Sequence, residues 1–310
     1  MKNILKLGIV SFWASLLLSS CLKYTVNKPS YPLQDIYSTI SNSTGYSILS
    51  VAIIRAGLKD SLATGNGPYT LFAPSNIAFS FYGVNTLTDL NKISADSLKK
   101  ILSYHVIKAY LTTQLFPKEP DSSIMTLAGY RAYLTTGTHY FFINGNIVNP
   151  PANYACSNGI IQPINGILNL PAATISATLP NVLNLHLFNA AIIKAGLVNL
   201  LNGAGTHTVF APSDSVFTAA GYKSVSVINN SDPAVLAKLL NYHLTNGNLF
   251  SDDLIDNSSL VTLQGGSIKV GNKISVTLTG NSNKSAATAV NLNIITTNGV
   301  IYIINKILTP

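Results

Sequence analysis

The chain has 310 residues, of which only 10% are charged, and its mean hydropathy is +0.32. This length and apolar content suffice for two cores of ordinary domain size. The formal net charge is +8, but the sequence contains no run of lysine and arginine interleaved with aromatic residues. Nucleic acid is therefore not expected as a partner. Two cysteines in the whole chain exclude a fold held together by several disulfides.

An export signal is predicted at the N-terminus. Lys2 and Lys6 precede the apolar run 7–18. This run is too short to cross a bilayer comfortably, since a spanning helix needs about 20 apolar residues. A charged start followed by a short apolar run is typical of a secretory signal peptide, which we place at residues 1–20.

A cysteine lies where cleavage of that signal is expected. The sequence Leu-Ser-Ser-Cys ending at Cys21 resembles a bacterial lipobox, in which the acylated cysteine becomes the mature N-terminus. We therefore predict lipidation of Cys21, a tether at residues 21–32 and a membrane-anchored lipoprotein of the cell envelope, at the outer membrane. The alternative is an ordinary signal peptide with an incidental cysteine. No acidic residue follows Cys21 closely, which argues against display on the outer face in bacteria that sort lipoproteins by such residues.

One short stretch occurs twice. Residues 69–79 read Tyr-Thr-Leu-Phe-Ala-Pro-Ser-Asn-Ile-Ala-Phe, and residues 207–217 read His-Thr-Val-Phe-Ala-Pro-Ser-Asp-Ser-Val-Phe. In each copy a proline stops an apolar strand, and Ser75 or Ser213 follows at a helix N-cap position. The motif therefore predicts a strand leading directly into a short helix, with the final phenylalanine folded back into the core.

Three further blocks recur in the same order. An apolar helix ending in Ala-Gly-Leu precedes the motif, a Tyr-His pair follows it, and a block beginning Asn-Gly closes each copy, at offsets of 138 to 140 residues. A period of this length indicates a duplicated domain, because solenoid repeats run about 20 to 50 residues. We predict domains at 33–170 and 178–309, joined by a linker at 171–177 that restricts interdomain motion.

These ordered blocks closely resemble the fasciclin domain. The resemblance rests on the Ala-Gly-Leu helix, the Phe-Ala-Pro-Ser motif, the Tyr-His pair and the closing pattern Asn-Gly-x-Ile-x-x-Ile-x-x-x-Leu. It implies a mixed α+β fold in each copy, with short helices packed on a β-rich core. Members of this family are mostly secreted or membrane-anchored modules for adhesion and matrix interaction, without a general enzymatic activity, so the resemblance implies binding without naming the ligand.

Periodicity predicts the elements of the first domain. An amphipathic helix at 46–56 is ended by Gly57, and a second helix follows the N-cap Ser94. Strands are predicted at 104–107, 124–127, 131–134, 139–143, 146–148 and 159–165, with Asn144-Gly145 as a hairpin turn.

The second domain follows the same plan. One helix is predicted at 187–195, ended by Gly196, and another runs from the N-cap Asp232 through residue 240 with Pro233 in its first turn. Strands are predicted at 260–263, 267–270, 274–278, 289–295 and 300–305, with a tight turn at 271–272.

The sequence contains no recognisable catalytic motif. Metalloprotease, nucleophile-elbow, phosphate-loop, paired-cysteine and EF-hand patterns are missing, so we predict no enzyme, no cofactor and no metal site. Asp252, Asp253 and Asp256 cluster, and we favour a solvated loop over a cation site because few oxygen ligands are evident. Cys156 is interpreted as a buried small side chain and not as a reactive thiol.

The Tyr-His pairs are the candidate binding residues, namely Tyr104, His105, Tyr242 and His243. In animal fasciclin domains this region is associated with integrin binding, although no integrin is expected for a bacterial lipoprotein. Each pair follows an amphipathic helix and is predicted to begin an apolar strand, where alternation directs one side chain inward. We favour a structural role, in which the imidazole satisfies backbone groups at a helix-to-strand corner.

The leading hypothesis is a non-enzymatic, lipid-anchored binding or adhesion module of the cell envelope. Its partner would be a protein or glycan ligand at the cell surface or in the periplasm. The alternative is an accessory glycan-binding lipoprotein of an outer-membrane nutrient-uptake system. Exposed aromatic platforms would favour this alternative, and the candidates are Tyr31, Tyr82, Tyr130, Tyr140 and Tyr222.

Overall fold

The computed structural model describes residues 32–63, 67–119, 121–171, 173–272 and 275–310. The predicted signal peptide, Cys21 and nearly all of the predicted tether lie outside these residues. Both copies of the repeat belong to one compact unit, Leu33–Pro310. Within the described residues, no helix combines the length and the apolar character needed to cross a lipid bilayer.

The first copy contains short helices and one longer helix that leads to its Tyr-His pair. The helices are α1 (Ile36–Ser41), α2 (Ser47–Arg55), α3 (Lys59–Ala63), α4 (Asn76–Phe81), α5 (Leu87–Asn91) and α6 (Ala95–Tyr104), with 3-10 turns at Thr44–Tyr46 and Thr113–Leu115. The strands are β1 (Tyr69–Pro74), β2 (Val106–Ile107), β3 (Ser123–Met125), β4 (Arg131–Thr136), β5 (Phe141–Ile143), β6 (Asn146–Val148), β7 (Tyr154–Cys156) and β8 (Gly159–Ile164). They pair in the order β2-β1-β8-β6-β5-β4-β3, and β7 also pairs with β8.

The second copy repeats this arrangement. Its helices are α7 (Ile175–Thr178), α8 (His186–Lys194), α9 (Val198–Asn202), α10 (Asp214–Ala219), α11 (Val225–Asn229) and α12 (Pro233–Asn241), with a 3-10 turn at Leu179–Asn181. Its strands are β9 (His207–Pro212), β10 (Leu244–Asn246), β11 (Ser259–Val261), β12 (Ser267–Asn272), β13 (Val276–Gly280), β14 (Ala287–Thr296) and β15 (Gly299–Ile304). The order β10-β9-β15-β14-β13-β12-β11 matches that of the first copy, which confirms a duplicated α+β fold.

The strand of the repeated motif lies second from one edge of each sheet. Its strand, β1 or β9, pairs in parallel with the closing strand of the same copy, β8 or β15. Every residue of these four strands is buried, which explains why most of their residues are apolar. Phe79 and Phe217, which end the motif, are 2% and 1% exposed, so the prediction that they fold back into the core is confirmed.

Each closing block begins with Asn-Gly, and the side chain of this asparagine links three segments of its domain. Asn158 Oδ1 accepts a hydrogen bond from the N–H of Ile36 at 2.9 Å, and Asn158 Nδ2 donates to the carbonyl of Leu62 at 2.8 Å. The equivalent asparagine of the second copy makes the same two kinds of contact. Glycine must follow, because a Cβ at Gly159 would overlap the carbonyl oxygen of Tyr69.

Helix α7 begins inside the stretch predicted as the linker. Thr174 caps this helix through its hydroxyl, and Ile175 is fully buried. Its N–H is held by the closing asparagine of the second copy, as the first residue of α1 is held in the first copy. Helix α7 is therefore the counterpart of α1, and few residues remain between the two repeated units.

Each copy buries apolar side chains on both faces of its motif strand. In the first copy, Leu71 and Ala73 contribute to a cluster with the helices, and Phe72 contributes to a second cluster with Tyr104. Cys156 lies in the helix-side cluster and is buried, which confirms its interpretation as a core side chain. Burial raises the pKa of the Cys156 thiol, so the reactive thiolate is disfavoured.

The predicted strand at 104–107 is wrong in its first half. Tyr104 is the last residue of α6 and His105 is its C-cap, so the strand begins only at Val106. The helix continues because its apolar spacing, from Leu98 and Leu102, extends to the buried His105 at helical intervals. The same correction holds in the second copy, where α12 ends next to the second Tyr-His pair.

The predicted tight turn at 271–272 is also wrong. Gly271 and Asn272 belong to the end of β12, where Asn272 pairs with Val276. Asn272 Nδ2 donates to the carbonyls of Ser251 and Leu254 at 2.8 and 2.9 Å, which keeps this residue in the sheet. The other predicted helices and strands are present, with ends displaced by one or two residues within the described part of the chain.

Candidate functional site

The two histidines of the Tyr-His pairs make the same pair of hydrogen bonds. His105 Nδ1 donates to the carbonyl of Ile101 at 2.8 Å, and its Nε2 accepts from the N–H of Leu168 at 3.0 Å. His243 bonds the corresponding groups of the second copy, at 2.9 Å in each case. Both imidazoles are buried and neutral, and each ties the end of a helix to the segment after the closing strand.

Burial controls the protonation of both histidines. Removal from water lowers the pKa of His105 and of His243 to about 4. Only a neutral ring can donate from Nδ1 while accepting at Nε2, so the geometry and the pKa agree. We expect the two histidines to act as structural anchors.

The tyrosines of the pairs are also buried. The hydroxyl of Tyr104 donates to the carbonyl of Arg131 at 2.8 Å and accepts from Asn144 Nδ2 at 2.9 Å. Burial raises the pKa of the Tyr104 hydroxyl. Tyr242 likewise donates to the carbonyl of Ser267, at 2.5 Å. Neither tyrosine ring is exposed, so the pairs do not themselves offer a surface to a ligand.

An open depression lies directly above the first Tyr-His pair. Its volume is about 520 Å³, and it is lined by Lys99, Lys100, Ser103, Leu127, Ala128, Tyr130, Leu170 and Pro171. A second depression, of about 490 Å³, adjoins it and shares Lys100 and Leu170. Tyr82 lines the second depression, so the two together form a groove with a tyrosine in each part. We call these two depressions the α6 groove.

The buried pair holds both walls of the α6 groove. The ring of Tyr104 lies under that of Tyr130, with centroids 6.5 Å apart and planes at 83°, an edge-to-face contact. On the other wall, the bond from Leu168 to His105 fixes the chain two residues before Leu170. The Tyr-His pair of the first copy is therefore placed to position groove residues without touching a ligand.

Two residues that line the α6 groove, Lys99 and Tyr130, are not repeated in the second copy. Position 237, the counterpart of Lys99 in the helix, is alanine, while Lys238 corresponds to Lys100. The counterpart of Tyr130 is Gly266, since each follows the same hydrogen-bonded turn. A Cβ at Gly266 would lie 2.6 Å from Cε2 of Tyr242, so this position cannot carry a side chain without moving the buried ring.

The candidate aromatic platforms differ in exposure. Tyr82, Tyr130 and Tyr140 are 42%, 39% and 48% exposed, and the first two line the α6 groove. Tyr222 is partly covered, because its ring packs against that of Phe217 with centroids 5.6 Å apart. Tyr31 lies outside the described residues.

Two of the three clustered aspartates face the first domain. Thr135 donates to Asp253 Oδ1 at 3.1 Å across the interface, and the ring of Tyr133 packs on Phe250 with centroids 5.5 Å apart. Both carboxylate oxygens of Asp252 are inaccessible to water and have no hydrogen-bond partner. The expectation of a solvated loop is therefore wrong for this pair, because the first domain covers it.

The covered aspartates hold their protons to unusually high pH. Burial, together with the charge of Asp253, raises the pKa of Asp252 to about 7. Burial raises the pKa of Asp253 to about 6, and Asp121 of the first domain adds to this. Asp256 points elsewhere and accepts from the N–H of Asn272 at 2.9 Å. Among the described residues, no three His, Cys, Asp or Glu side chains gather to hold a metal ion.

The interface contains further polar contacts between the domains. Asp121 accepts from Asn248 Nδ2 at 2.7 Å and from the hydroxyl of Thr206 at 3.2 Å. The side chain of Asn293 contacts the hairpin turn at Gly145. These contacts join the two domains, and restricted interdomain motion stays a prediction.

Comparison with known proteins assigns the family. A sequence profile of the Fasciclin domain matches residues 44–171 and 183–310. The chain is 27% identical over 286 residues to transforming growth factor-beta-induced protein ig-h3 of Sus scrofa, covering 90% of this chain and 40% of that protein. It is 26% identical over 255 residues to human periostin, covering 79% of this chain and 29% of that protein. The chain belongs to the fasciclin-domain family.

Bacterial and insect proteins are also similar. Protein sll1483 of Synechocystis sp. is 30% identical over 140 residues, covering 44% of this chain and 73% of that protein. A solved domain pair from the insect cell adhesion molecule fasciclin I is 18% identical, with a TM-score of 0.42, covering 88% of this chain and 96% of that one. This chain spans less than half the length of the ig-h3 and periostin proteins that it matches.

Proposed function

We propose that this protein is a non-enzymatic adhesion or binding module of the cell envelope, held at the outer membrane by lipid on Cys21. Membership of the fasciclin-domain family supports the adhesion-like role. The observation that carries the proposal is the α6 groove, an open surface whose two walls are held by a buried Tyr-His pair. A preorganised open groove suits the holding of an extended ligand, because little ordering is needed on binding.

The anchor is testable separately from the ligand. Cys21→Ser should move the protein from the membrane fraction to the soluble fraction, because lipid at that residue is the proposed attachment. Intact-mass analysis of the mature wild-type protein should show an acylated N-terminal cysteine. An unmodified Cys21, or a mature N-terminus at another residue, would contradict lipidation.

The adhesion role predicts a loss of attachment when the protein is absent. Cells lacking the protein should attach less to a surface coated with their native extracellular matrix, and the full chain should restore attachment. The Cys21→Ser form, expressed to the same level, should fail to restore it, because it is no longer tethered. Equal attachment of cells with and without the protein would overturn the adhesion proposal.

The exposure of Tyr82 and Tyr130 in one groove favours a second candidate, an accessory glycan-binding lipoprotein of an outer-membrane nutrient-uptake system. Growth separates the two candidates. A role in uptake predicts slower growth of the deletion strain on a limiting polysaccharide but not on its monosaccharide. Adhesion alone predicts equal growth on both carbon sources.

A further inference from the structure

We propose that the α6 groove of the first domain is a binding site for an acidic polysaccharide, with sugar rings on Tyr130 and sugar carboxylates at Lys99 and Lys100. This assignment rests on the proposed binding role and adds the chemical class of the ligand. Three features of the groove support it: its uncompensated charge, its supported aromatic ring and its extension into the adjoining depression.

The charge of the groove is positive and free to act on a ligand. Lys99 and Lys100 are both exposed, and within the described residues neither forms an ion pair. Asp96 lies one helical turn before Lys100, but within the described residues the two side chains form no ion pair. Two adjacent ammonium groups beside a concave surface attract an anion, and repeated carboxylates along a chain would meet both.

The aromatic part of the groove fits a sugar ring. Tyr130 is 39% exposed, and its edge-to-face contact with the buried Tyr104 limits its movement. An exposed tyrosine ring offers a flat, weakly negative face on which the C–H groups of a pyranose can pack. Leu127, which is 41% exposed, and Leu170 continue this apolar surface. A rigid ring binds with less loss of side-chain freedom than a mobile one.

The extent of the groove favours a polymer over a single sugar. The adjoining depression shares Lys100 and Leu170 with the first and is lined by Tyr82 in addition. Each depression contains one tyrosine, and Lys100 lines both, so the groove offers a chain of sugars both ring stacking and positive charge. An acidic peptide would use the lysines but gain little from two separate tyrosine faces, so we favour the polysaccharide.

The second domain supplies an internal control. It retains a lysine at the position of Lys100, namely Lys238, but has alanine and Gly266 at the positions of Lys99 and Tyr130. A site that needs all three groups therefore exists only in the first domain. Lys238→Ala removes one positive charge from the protein without touching the α6 groove.

The test measures binding of tetragalacturonate to the full-length, membrane-extracted protein by isothermal titration calorimetry. Lys99→Ala with Lys100→Ala should weaken binding about tenfold, since each exposed ion pair contributes modestly. Tyr130→Ala should weaken it about fivefold, whereas Tyr130→Phe should bind as wild type does, because stacking needs the ring only. Lys238→Ala should change affinity by less than about twofold. Higher salt should weaken wild-type binding.

Several outcomes would overturn the assignment. Absence of tetragalacturonate binding by the wild type would do so, as would equal binding of a neutral galactan tetrasaccharide. Equal or tighter binding of tetraglutamate would show that the groove recognises charge alone and takes acidic peptides. If the Lys99 and Lys100 double variant binds normally while Lys238→Ala does not, the site lies elsewhere. Normal adhesion by cells carrying the double variant would reject this ligand for adhesion and leave the adhesion proposal standing.

Discussion

The two domains anchor their Tyr-His pairs alike but differ in what surrounds those anchors. Above the first pair lie two lysines and a supported tyrosine, whereas at the position of that tyrosine the second domain has Gly266, which lies against the ring of Tyr242. The second domain instead carries the buried aspartates at the domain interface. Duplication thus preserved the hydrogen bonds that hold the fold and left the surfaces beside them free to diverge.

The largest effect is expected from Asp252, which belongs to the second domain alone. Asp252→Asn should raise the free energy of unfolding by roughly 2–4 kcal/mol at pH 8, because it removes a buried carboxylate without a partner. Chemical denaturation at pH 8 and at pH 4 measures the difference. A variant no more stable than wild type at pH 8 would mean that water or a cation already reaches this carboxylate.

The pH dependence of this effect has a definite sign. The folded-state pKa of Asp252, about 7, lies above the ordinary aspartate value of 3.8, so the folded protein binds the extra proton. Stability from this group is therefore greatest below pH 4 and is lost as pH rises toward 7. The gain from Asp252→Asn should vanish near pH 4. Asp253 responds in the same direction. Asp121 contributes to raising the pKa of Asp253, and both aspartates contribute to raising the pKa of the buried Tyr302.

The histidine anchors should behave alike in both domains. His105→Ala and His243→Ala should each lower the free energy of unfolding by about 1–3 kcal/mol, because each leaves a buried carbonyl and N–H without a partner. Ligand binding well below the transition temperature should fall only as far as the folded fraction falls. Unchanged melting with abolished binding would instead place the histidines on the recognition surface.

The histidines give the opposite pH dependence to the aspartates. Their folded-state pKa of about 4 is below the ordinary value of 6.5, so the unfolded chain takes up the proton first. The stability that they contribute is present above pH 6.5 and is lost as pH falls toward 4. In the Asp252→Asn protein, stability should therefore fall more steeply on acidification than in wild type.

Local patterns predicted the repeated scaffold well. The Phe-Ala-Pro-Ser motif indicated a strand leading into a helix, and Asn144-Gly145 indicated a hairpin turn, where both residues have positive φ values of 47° and 72°. These features depend on residues close in sequence. The short strand β7 was missed although it pairs with β8, the next strand in the chain, because only three residues carry its signal.

The α6 groove and the buried aspartates were not predicted, for a different reason. The sequence offered Tyr130 as a candidate aromatic platform, but nothing linked it to Lys99 until the fold placed its ring over Tyr104 beside α6. The aspartates read as a polar loop, and their burial arises only where Tyr133 and Thr135 of the first domain cover them. A position-by-position comparison of the two copies would have shown Lys99 and Tyr130 as departures from the repeat.

Gly266 tests whether the second domain could hold a groove like that of the first. Gly266→Ala should lower the free energy of unfolding by about 1–2 kcal/mol, because its Cβ would lie 2.6 Å from the buried ring of Tyr242. That ring cannot yield easily, since its hydroxyl is bonded to Ser267. Thermal melting measures this loss, and Tyr130→Ala, a change at a half-exposed position, serves as the control. A neutral Gly266→Ala would mean that the second domain adapts to a side chain there.

The smallest difference is expected at the serines of the repeated motif. Ser75 caps α4, since its hydroxyl accepts from the N–H of Ala78 at 3.3 Å, whereas the hydroxyl of Ser213 bonds Ser215 and caps nothing. Ser75→Ala should therefore cost about 0.5–1 kcal/mol, and Ser213→Ala less than about 0.5 kcal/mol, because only the first leaves a helix N–H without its acceptor. Urea denaturation of both variants at one pH measures the difference. Equal losses would indicate that Ser213 also caps its helix in solution, and the two motifs would then be equivalent in energy as well as in sequence.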